Sequence, residues 1–199
     1  MKKRTAFIGA ILSLLPLSQP LLIKIGVVLS SSAMMVFLPE KVNAENAALY
    51  FDSGNKKHNA GYYYGAISDY DKAIQIDPNF ANAYVSRCSA KSYLGMYEEA
   101  LKDCEKSLML NKNNSSFYVD KEALFTNLCG VKVNLQKDYY GAISDCNKSI
   151  LLNSKDSLAY RNRGIAKEEI GDMKGACNDW RKASRFGDKD AKQWVRDQC

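Results

Sequence analysis

The sequence contains only one histidine, His58, and it contains no Cys-x-x-Cys pair, no Gly-x-Gly-x-x-Gly stretch and no P-loop. These absences remove the usual zinc, redox and phosphate-binding motifs. A lone imidazole after Lys56 and Lys57 is typical of a surface or turn residue. Adjacent carboxylates such as Glu98 and Glu99 point about 100° apart on a helix and make poor acid–base pairs. The sequence therefore predicts no enzyme, no cofactor and no metal site.

Clustered positive charge is also missing outside the N-terminus. The formal net charge is +6, but five of the 28 basic residues and one of the 22 acidic residues precede Glu45, which leaves 23 against 21. A nucleic-acid-binding protein needs a basic stripe on its folded part. Because the remaining charges of both signs are interleaved, nucleic acid is not predicted as a partner.

The N-terminus begins with Lys2-Lys3-Arg4. Two apolar runs follow, the first over 5–15 and the second over 21–38. Val42-Asn43-Ala44 has the small-x-small pattern of a cleavage site. Residues 1–44 are therefore interpreted as an export signal that is cleaved after Ala44. The alternative is an uncleaved membrane anchor through residues 5–23, a stretch nearly as long as the roughly 20 residues that span a bilayer. Either interpretation places the rest of the chain outside the cytoplasm.

What the sequence does contain is a repeat. Gly65-Ala-Ile-Ser-Asp-Tyr-Asp-Lys-Ala-Ile returns as Gly141-Ala-Ile-Ser-Asp-Cys-Asn-Lys-Ser-Ile, and looser copies begin at Glu99 and Gly175. The spacings between copies are 34, 42 and 34 residues, and such a period indicates a repeat architecture. The longer spacing is interpreted as an insertion at about 115–122. One anchoring alanine marks each copy: Ala66, Ala100, Ala142 and Ala176.

Each copy predicts a pair of helices joined by a short turn. The predicted repeats cover about 47–80, 81–114, 123–156 and 157–190, within a domain of residues 45–199. The first helix of the third repeat is predicted to begin near Ser116 and to reach Gln136, which makes it longer than the first helices of the other repeats. A last helix is predicted over 188–198, with Ala191, Trp194 and Val195 on one face.

Small residues recur where the paired helices would approach most closely, and bulky or sulfur-containing residues lie opposite them. Twelve residues before each anchoring alanine lie Gly54, Cys88, Gly130 and Gly164. Seven residues after it lie Ala73, Ser107, Ser149 and Ala183. Four residues after it lie Tyr70, Cys104, Cys146 and Trp180.

With this period and these offsets, the chain resembles the tetratricopeptide-repeat family from about Ala47 to Asp190. The third copy departs from the pattern, since Thr126 replaces an aromatic residue and Ser154 a proline. The ending from Gly175 to Cys199 resembles exported bacterial members of the family, those of cyanobacteria in particular. The resemblance implies an all-α fold: a right-handed superhelical solenoid of helix-turn-helix repeats with a C-terminal capping helix.

The six cysteines are even in number, and their spacing is informative. Cys88 and Cys104 lie equally far from the second turn, and Cys129 and Cys146 lie almost equally far from the third. Antiparallel helices would place each pair at one height, within reach of disulfide geometry. A third bond would pin the last helix to the fourth repeat. The predicted pairs are Cys88–Cys104, Cys129–Cys146 and Cys177–Cys199; the alternative is that each cysteine is a small buried hydrophobe.

Tyrosines concentrate at two of the turns, as Tyr62-Tyr63-Tyr64 and Tyr139-Tyr140. They are predicted to pack between helices at the corners of the repeats. The alternative is an exposed aromatic patch that meets a partner.

The resemblance also implies a concave groove that is lined by the first helix of each repeat and holds an extended peptide or a partner helix. Some family members bind a C-terminal carboxylate there through a cationic clamp, but the matching positions are largely Phe51, Ser86, Leu124 and Leu128, so an internal segment is favoured. The predicted groove residues face away from the packing positions: Phe51, Asn55, Asn59, Val85, Ser86, Ser89, Tyr93, Asn127, Val131, Asn134, Arg161, Asn162, Ile165 and Glu168.

The predicted function is a non-catalytic protein-interaction scaffold or assembly module in a periplasm or a thylakoid lumen. One alternative is a membrane-anchored adaptor, if residues 1–44 persist in the mature protein. An alternative of another class is a redox-responsive protein whose cysteine pairs switch on reduction.

Overall fold

The computed structural model describes residues 34–113, 120–136 and 138–199. The chain divides into two compact units, Met1–Val42 and Asn43–Cys199, and the second contains the repeats. Most of the predicted export signal, including the tether over 5–23, lies outside the described residues. No helix within the described ranges is long and apolar enough to cross a membrane.

The secondary structure of the described residues is helical throughout, without a strand. The helices are α1 (Met34–Asn59), α2 (Tyr63–Ile76), α3 (Ala81–Tyr93), α4 (Tyr97–Asn113), α5 (Lys121–Leu135), α6 (Tyr139–Leu152), α7 (Ser157–Glu169), α8 (Met173–Arg185) and α9 (Lys189–Gln198).

Consecutive helices pair as antiparallel hairpins, and the hairpins stack. In the first hairpin, the Ser53 hydroxyl of α1 donates to Asp69 of α2 over 2.6 Å. Helix α3 pairs with α4, α5 with α6 and α7 with α8, and each second helix also contacts the first helix that follows it. The first helices α3, α5 and α7 contact one another in order. The domain is therefore a solenoid of helical hairpins, as predicted.

The start of α5 differs from the prediction. The helix begins at Lys121, because the Asp120 side chain accepts a hydrogen bond from the Ala123 N–H and so caps the first turn. The predicted start near Ser116 is therefore wrong, and Ser116 itself lies outside the described residues. At 15 residues, α5 is two residues longer than α3 and α7.

The small positions predicted at the anchoring alanines and seven residues after them are confirmed. All four anchoring alanines are fully buried, as are Ala73, Ser107, Ser149 and Ala183. Side chains of this size let two helix backbones approach closely. The core consequently consists of small residues between larger wedges, repeated along the stack.

Where the two helices of a hairpin cross, the contact is made by one of two kinds of residue pair. In the outer hairpins, a glycine faces a ring: Gly54 faces Tyr70, and Gly164 faces Trp180, so that a Cβ at either glycine would overlap the ring. In the inner hairpins, two cysteines occupy the same positions and are bonded. The Cα atoms of Cys88 and Cys104 are 5.6 Å apart, and those of Cys129 and Cys146 are 5.2 Å apart.

Between the two residues of this pair, the third hairpin is one residue longer than the other hairpins. Its bonded cysteines are 17 residues apart, whereas those of the second hairpin are 16 apart. The small position of α5 is therefore Cys129, and the prediction of Gly130 for it is wrong. Gly130 faces the next first helix instead, where an added Cβ would lie 2.9 Å from the Asn162 side-chain nitrogen.

A buried carboxylate bonded to a lysine of the facing helix recurs in every hairpin. The carboxylate lies three residues after each anchoring alanine, and its distances to the lysine ammonium are 2.6–2.8 Å. Burial of a charge is costly unless the charge is paired, so these pairs also fix the register of the two helices. The pairs are Lys57–Asp69, Lys91–Asp103, Lys132–Asp145 and Lys167–Asp179.

The last helix, α9, caps the fourth hairpin. Ala191 is fully buried, and the Trp194 ring packs on Trp180 with ring centroids 5.3 Å apart. Cys199 is bonded to Cys177 of α8 at a Cα separation of 5.7 Å. All three bonded pairs are those that the sequence predicts, and three disulfides are typical of proteins that fold in an oxidising environment.

Candidate functional site

In the part of the chain that the structure describes, two cavities open along the first helices. The first, which we call the amide cavity, measures about 220 Å³ and lies where α1, α3 and α5 meet. The second, which we call the acidic cavity, measures about 330 Å³ and lies between α5, α7 and α9. The amide cavity is lined by Asn55, His58, Asn59, Tyr70, Val85, Ser86, Ser89, Ala123 and Asn127. The acidic cavity is lined by Val133, Asn134, Gln136, Tyr139, Arg161, Asn162, Ile165, Glu169, Asp190 and Trp194.

The polar groups of the amide cavity are largely bonded to one another. The Tyr70 hydroxyl donates to the Asn55 side-chain oxygen over 2.9 Å. The Asn127 amide nitrogen donates to the Val85 carbonyl over 3.4 Å. Burial raises the pKa of Tyr70 to about 12, so this hydroxyl stays protonated and remains a donor at any physiological pH.

His58 lies in the last turn of α1, where it is partly exposed and forms part of the wall of the amide cavity. Its Nε2 atom lies 3.2 Å from the Ser89 hydroxyl, and its ring meets Tyr63 and Tyr93 edge-on. Burial lowers the pKa of the imidazole below its ordinary value, against a hydrogen bond with Asn59 that raises it. The imidazole is therefore neutral at pH 7, and no residue that lines the amide cavity carries a formal charge.

The acidic cavity holds both signs of charge. Asp188 and Asp190 lie 3.3 Å and 3.4 Å from a guanidinium nitrogen of Arg161. The Tyr139 hydroxyl donates to the Glu169 carboxylate over 3.2 Å. These contacts join α6 and α9 to α7, so the acidic cavity requires the terminal helix to be in place.

Ten of the fourteen predicted groove residues line one cavity or the other. Six lie in the amide cavity and four in the acidic cavity. They come from α1, α3, α5 and α7, the first helices of four hairpins. The six are Asn55, Asn59, Val85, Ser86, Ser89 and Asn127, and the four are Asn134, Arg161, Asn162 and Ile165.

The other four predicted residues lie elsewhere. Val131 is 0% exposed in the core between the second and third repeats, and its prediction as a contact residue is wrong because the longer third hairpin turns it inward. Phe51 packs on Tyr70 and Phe80. Tyr93 stacks on Tyr63 beside the amide cavity, with ring centroids 4.7 Å apart. Glu168 is half-buried and lines neither cavity.

The turn tyrosines divide into two groups. Tyr63 and Tyr139 pack against the core, as predicted. Tyr62, Tyr64 and Tyr140 are more than 70% exposed, so the packing prediction is wrong for these three. Tyr62 precedes α2, and Tyr64 and Tyr140 lie in the first turns of α2 and α6.

Two residues of the acidic cavity come from a helix that the sequence suggested only as a cap. Asp190 and Trp194 belong to α9, and both line the acidic cavity. The apolar face of that helix signalled its packing, but nothing in its own sequence signalled which repeat surface its edge would complete.

Comparison with solved structures identifies the fold. A structure of MamA residues 41–end from Desulfovibrio magneticus RS-1 superposes with a TM-score of 0.60 at 18% identity, covering 75% of this chain and 81% of that one. A thermophilic tetratricopeptide-repeat protein of Thermus thermophilus gives a TM-score of 0.60 at 15% identity, covering 76% and 80%. The tetratricopeptide-repeat domain of Arabidopsis OM64 gives 0.55 at 20% identity, covering 64% and 99%.

No protein-family model and no curated protein sequence matches the chain. The structural likenesses nevertheless agree with one another and with the stacked hairpins described above. The chain therefore has the tetratricopeptide-repeat fold.

Proposed function

We propose that the protein is a non-catalytic interaction scaffold that holds a segment of a partner protein along its first helices. The observation that carries the proposal is the placement of the two cavities. Both open on the first helices, and together they are lined by ten of the fourteen residues that the sequence predicts for the groove. An extended segment that passes from one cavity to the other would meet amide, hydroxyl and aromatic groups in sequence.

The chemistry of the amide cavity suits a polypeptide backbone. Asparagine side chains offer both a donor and an acceptor, which is what each peptide unit requires. The cavity also carries no formal charge to be desolvated, and its asparagines can replace the hydrogen bonds that a peptide backbone gives up to water.

We further propose that the protein works outside the cytoplasm, in a periplasm or a thylakoid lumen, with residues 1–44 removed. The three disulfide bonds support this location, since such bonds persist in oxidising compartments. Retention of residues 1–44 would instead make the protein a membrane-anchored adaptor with the same groove.

A redox-responsive role has one observation in its favour. The cysteines of the two inner hairpins are fully buried, whereas Cys199 is exposed at the end of α9. Only the terminal bond is therefore open to a reductant in the folded protein. Selective alkylation at Cys177 and Cys199 after mild reduction would support this role, and simultaneous alkylation of all six thiols would contradict it.

Site-specific photo-cross-linking in the native host tests the scaffold proposal. A photoreactive residue placed at Asn59 or Asn134, both exposed and lining a cavity, should link to the same partner protein. The matched control is Ser68, an exposed polar position on the second helix α2. Cross-links that are equally abundant from Ser68 would contradict a groove on the first helices.

A further inference from the structure

The acidic cavity has an excess of negative charge. Its one guanidinium, on Arg161, lies within 3.4 Å of two carboxylates, those of Asp188 and Asp190. Glu169 adds a third carboxylate, which accepts from the neutral hydroxyl of Tyr139. Of the side chains that line the cavity, one is cationic, on Arg161, and two are anionic, on Glu169 and Asp190, while the buried Asp188 carboxylate pairs with Arg161 from behind. The electrostatics of the cavity therefore favour a cationic ligand over an anionic one.

Two lysines of the flanking first helices are engaged elsewhere. Lys132 lies 2.7 Å from Asp145, and Lys167 lies 2.8 Å from Asp179, each inside its own hairpin. Within the described part of the chain, no further basic side chain lines the acidic cavity.

One wall of the acidic cavity is aromatic. Trp194 lines it and is held in place by its contact with Trp180, and Tyr139 lines it from α6. Tryptophan is the strongest aromatic partner for a lysine ammonium or an arginine guanidinium.

Asn162 gives an independent indication that the acidic cavity receives a ligand. The residue as a whole is only 9% exposed and lines the acidic cavity, and no described group hydrogen-bonds to its side-chain amide. The amide atoms are not among the fully buried, unbonded side-chain atoms of the described residues, so they open on the cavity. The carbonyl oxygen of this amide is therefore available to a donor that enters the acidic cavity.

We infer that the acidic cavity binds a lysine or arginine side chain of the partner segment, between the Glu169 and Asp190 carboxylates and the Trp194 ring. The inference rests on the proposed function and adds to it the chemistry of the partner. The neutral amide cavity would hold backbone, and the acidic cavity would select for positive charge. A partner would thus carry a basic residue where its segment passes α7 and α9.

The test uses the whole, oxidised, isotope-labelled chain and two small probes, acetyl-arginine amide and acetyl-citrulline amide. The probes have nearly the same shape, but only the first is charged. Because the sequence contains two tryptophans, the indole N–H signals of Trp194 and Trp180 can be followed separately by NMR. The Trp194 signal should shift and saturate with the arginine probe at a Kd on the order of 1 mM.

Two variants and a control sharpen the test. The double substitution Glu169→Gln with Asp190→Asn should weaken binding of the arginine probe about tenfold or more. The double substitution Cys177→Ser with Cys199→Ser, which frees α9 from its bond, should weaken it as well. Glu105→Gln, which removes an exposed carboxylate from α4, should leave binding unchanged.

An unshifted Trp194 signal, or equal shifts with the arginine and citrulline probes, would overturn the inference. Cross-links from Asn59 and Asn134 to a common partner would still support the scaffold proposal in that event. The two proposals can therefore fail separately.

Discussion

Gln136 adopts at the third turn the left-handed conformation that glycine adopts at the other three. Its φ is +53°, whereas Gly61, Gly95 and Gly171 have φ values of +75° to +83°. A side chain in this region brings its Cβ close to the following carbonyl oxygen and costs on the order of 1 kcal/mol. The third turn is therefore strained at one residue.

Replacement of this residue by glycine should stabilise the protein. Gln136→Gly removes the Cβ strain and is expected to raise the free energy of unfolding by about 0.5–1 kcal/mol, net of the entropy that glycine adds to the unfolded chain. Urea denaturation measures the change. The reciprocal control is Gly171→Gln, which should lower the stability by a similar amount; a stabilising Gly171→Gln would contradict the explanation.

Asp69 shows how the buried carboxylates depend on pH. Burial alone would raise its pKa, but hydrogen bonds from Lys57 and Ser53 and the Lys57 charge outweigh burial and hold the pKa below its ordinary value. A carboxyl whose pKa is lower in the folded state stabilises the protein above its unfolded pKa of about 4, and this contribution is lost as the pH falls through the folded value.

Asp69→Asn should therefore destabilise the protein at pH 7 and lose most of this effect in acid. The measurement is the difference in melting temperature between the variant and the parent from pH 7 down to pH 3. Asp52→Asn is the control, because it removes a carboxylate from an exposed position of α1. A difference for Asp69→Asn that is independent of pH would show that the ion pair with Lys57 is not its source.

At the scale of the helices, the glycine–ring and cysteine–cysteine pairs occupy equivalent positions. Gly54 with Tyr70 and Cys88 with Cys104 are each 16 residues apart and lie at the same crossing point. The Tyr70 hydroxyl bonds to Asn55, and the residue that corresponds to Asn55 in the second repeat is Ser89, whose hydroxyl can also accept. The second hairpin should therefore accommodate a glycine–ring pair.

The double substitution Cys88→Gly with Cys104→Tyr tests this equivalence. Loss of the disulfide through Cys88→Ala with Cys104→Ala is expected to cost about 3 kcal/mol, given the length of the loop that it closes. The glycine–tyrosine variant should recover part of that loss, because the ring fills the space that the sulfur atoms leave. If it is less stable than the double-alanine variant, the two kinds of pair are not interchangeable.

The sequence predicted the helices well because period, turn glycines and anchoring alanines are local signals. It failed where one extra residue shifts a register. The copies can be aligned through Ala142, but the extra residue of the third hairpin moves Cys129 to the crossing point and Val131 into the core. Spacing from the anchoring alanine gives no indication of which side of the turn carries that residue.

At the scale of the whole molecule, the residues that the first helices contribute to the two cavities were largely predictable. The residues that α9 contributes to the acidic cavity were not. Ten predicted residues line the cavities because the outward side of a first helix follows from its packing side. Asp190 and Trp194 were not predicted, since they reach the acidic cavity from a helix about 30 residues further along the chain than Arg161. Contacts of this kind depend on how the last helix docks.

Export can be tested on the protein from its native host. Its intact mass, measured without reductant, should correspond to a chain that begins at Glu45 and lacks six hydrogen atoms, two for each disulfide. Reduction should restore those six. A mass that begins at Met1 would instead identify the membrane-anchored form, and free thiols would contradict an oxidising location.

The most direct measurement is the affinity for the cross-linked partner segment, compared between groove and outer-face variants. Asn59→Arg and Asn134→Arg place a bulky side chain at the mouth of each cavity and should each weaken binding at least about tenfold. Ser68→Arg makes a comparable change on α2 and should leave the Kd unchanged. If Ser68→Arg weakens binding as much as the groove variants do, the partner does not bind along the first helices, and the central claim is wrong.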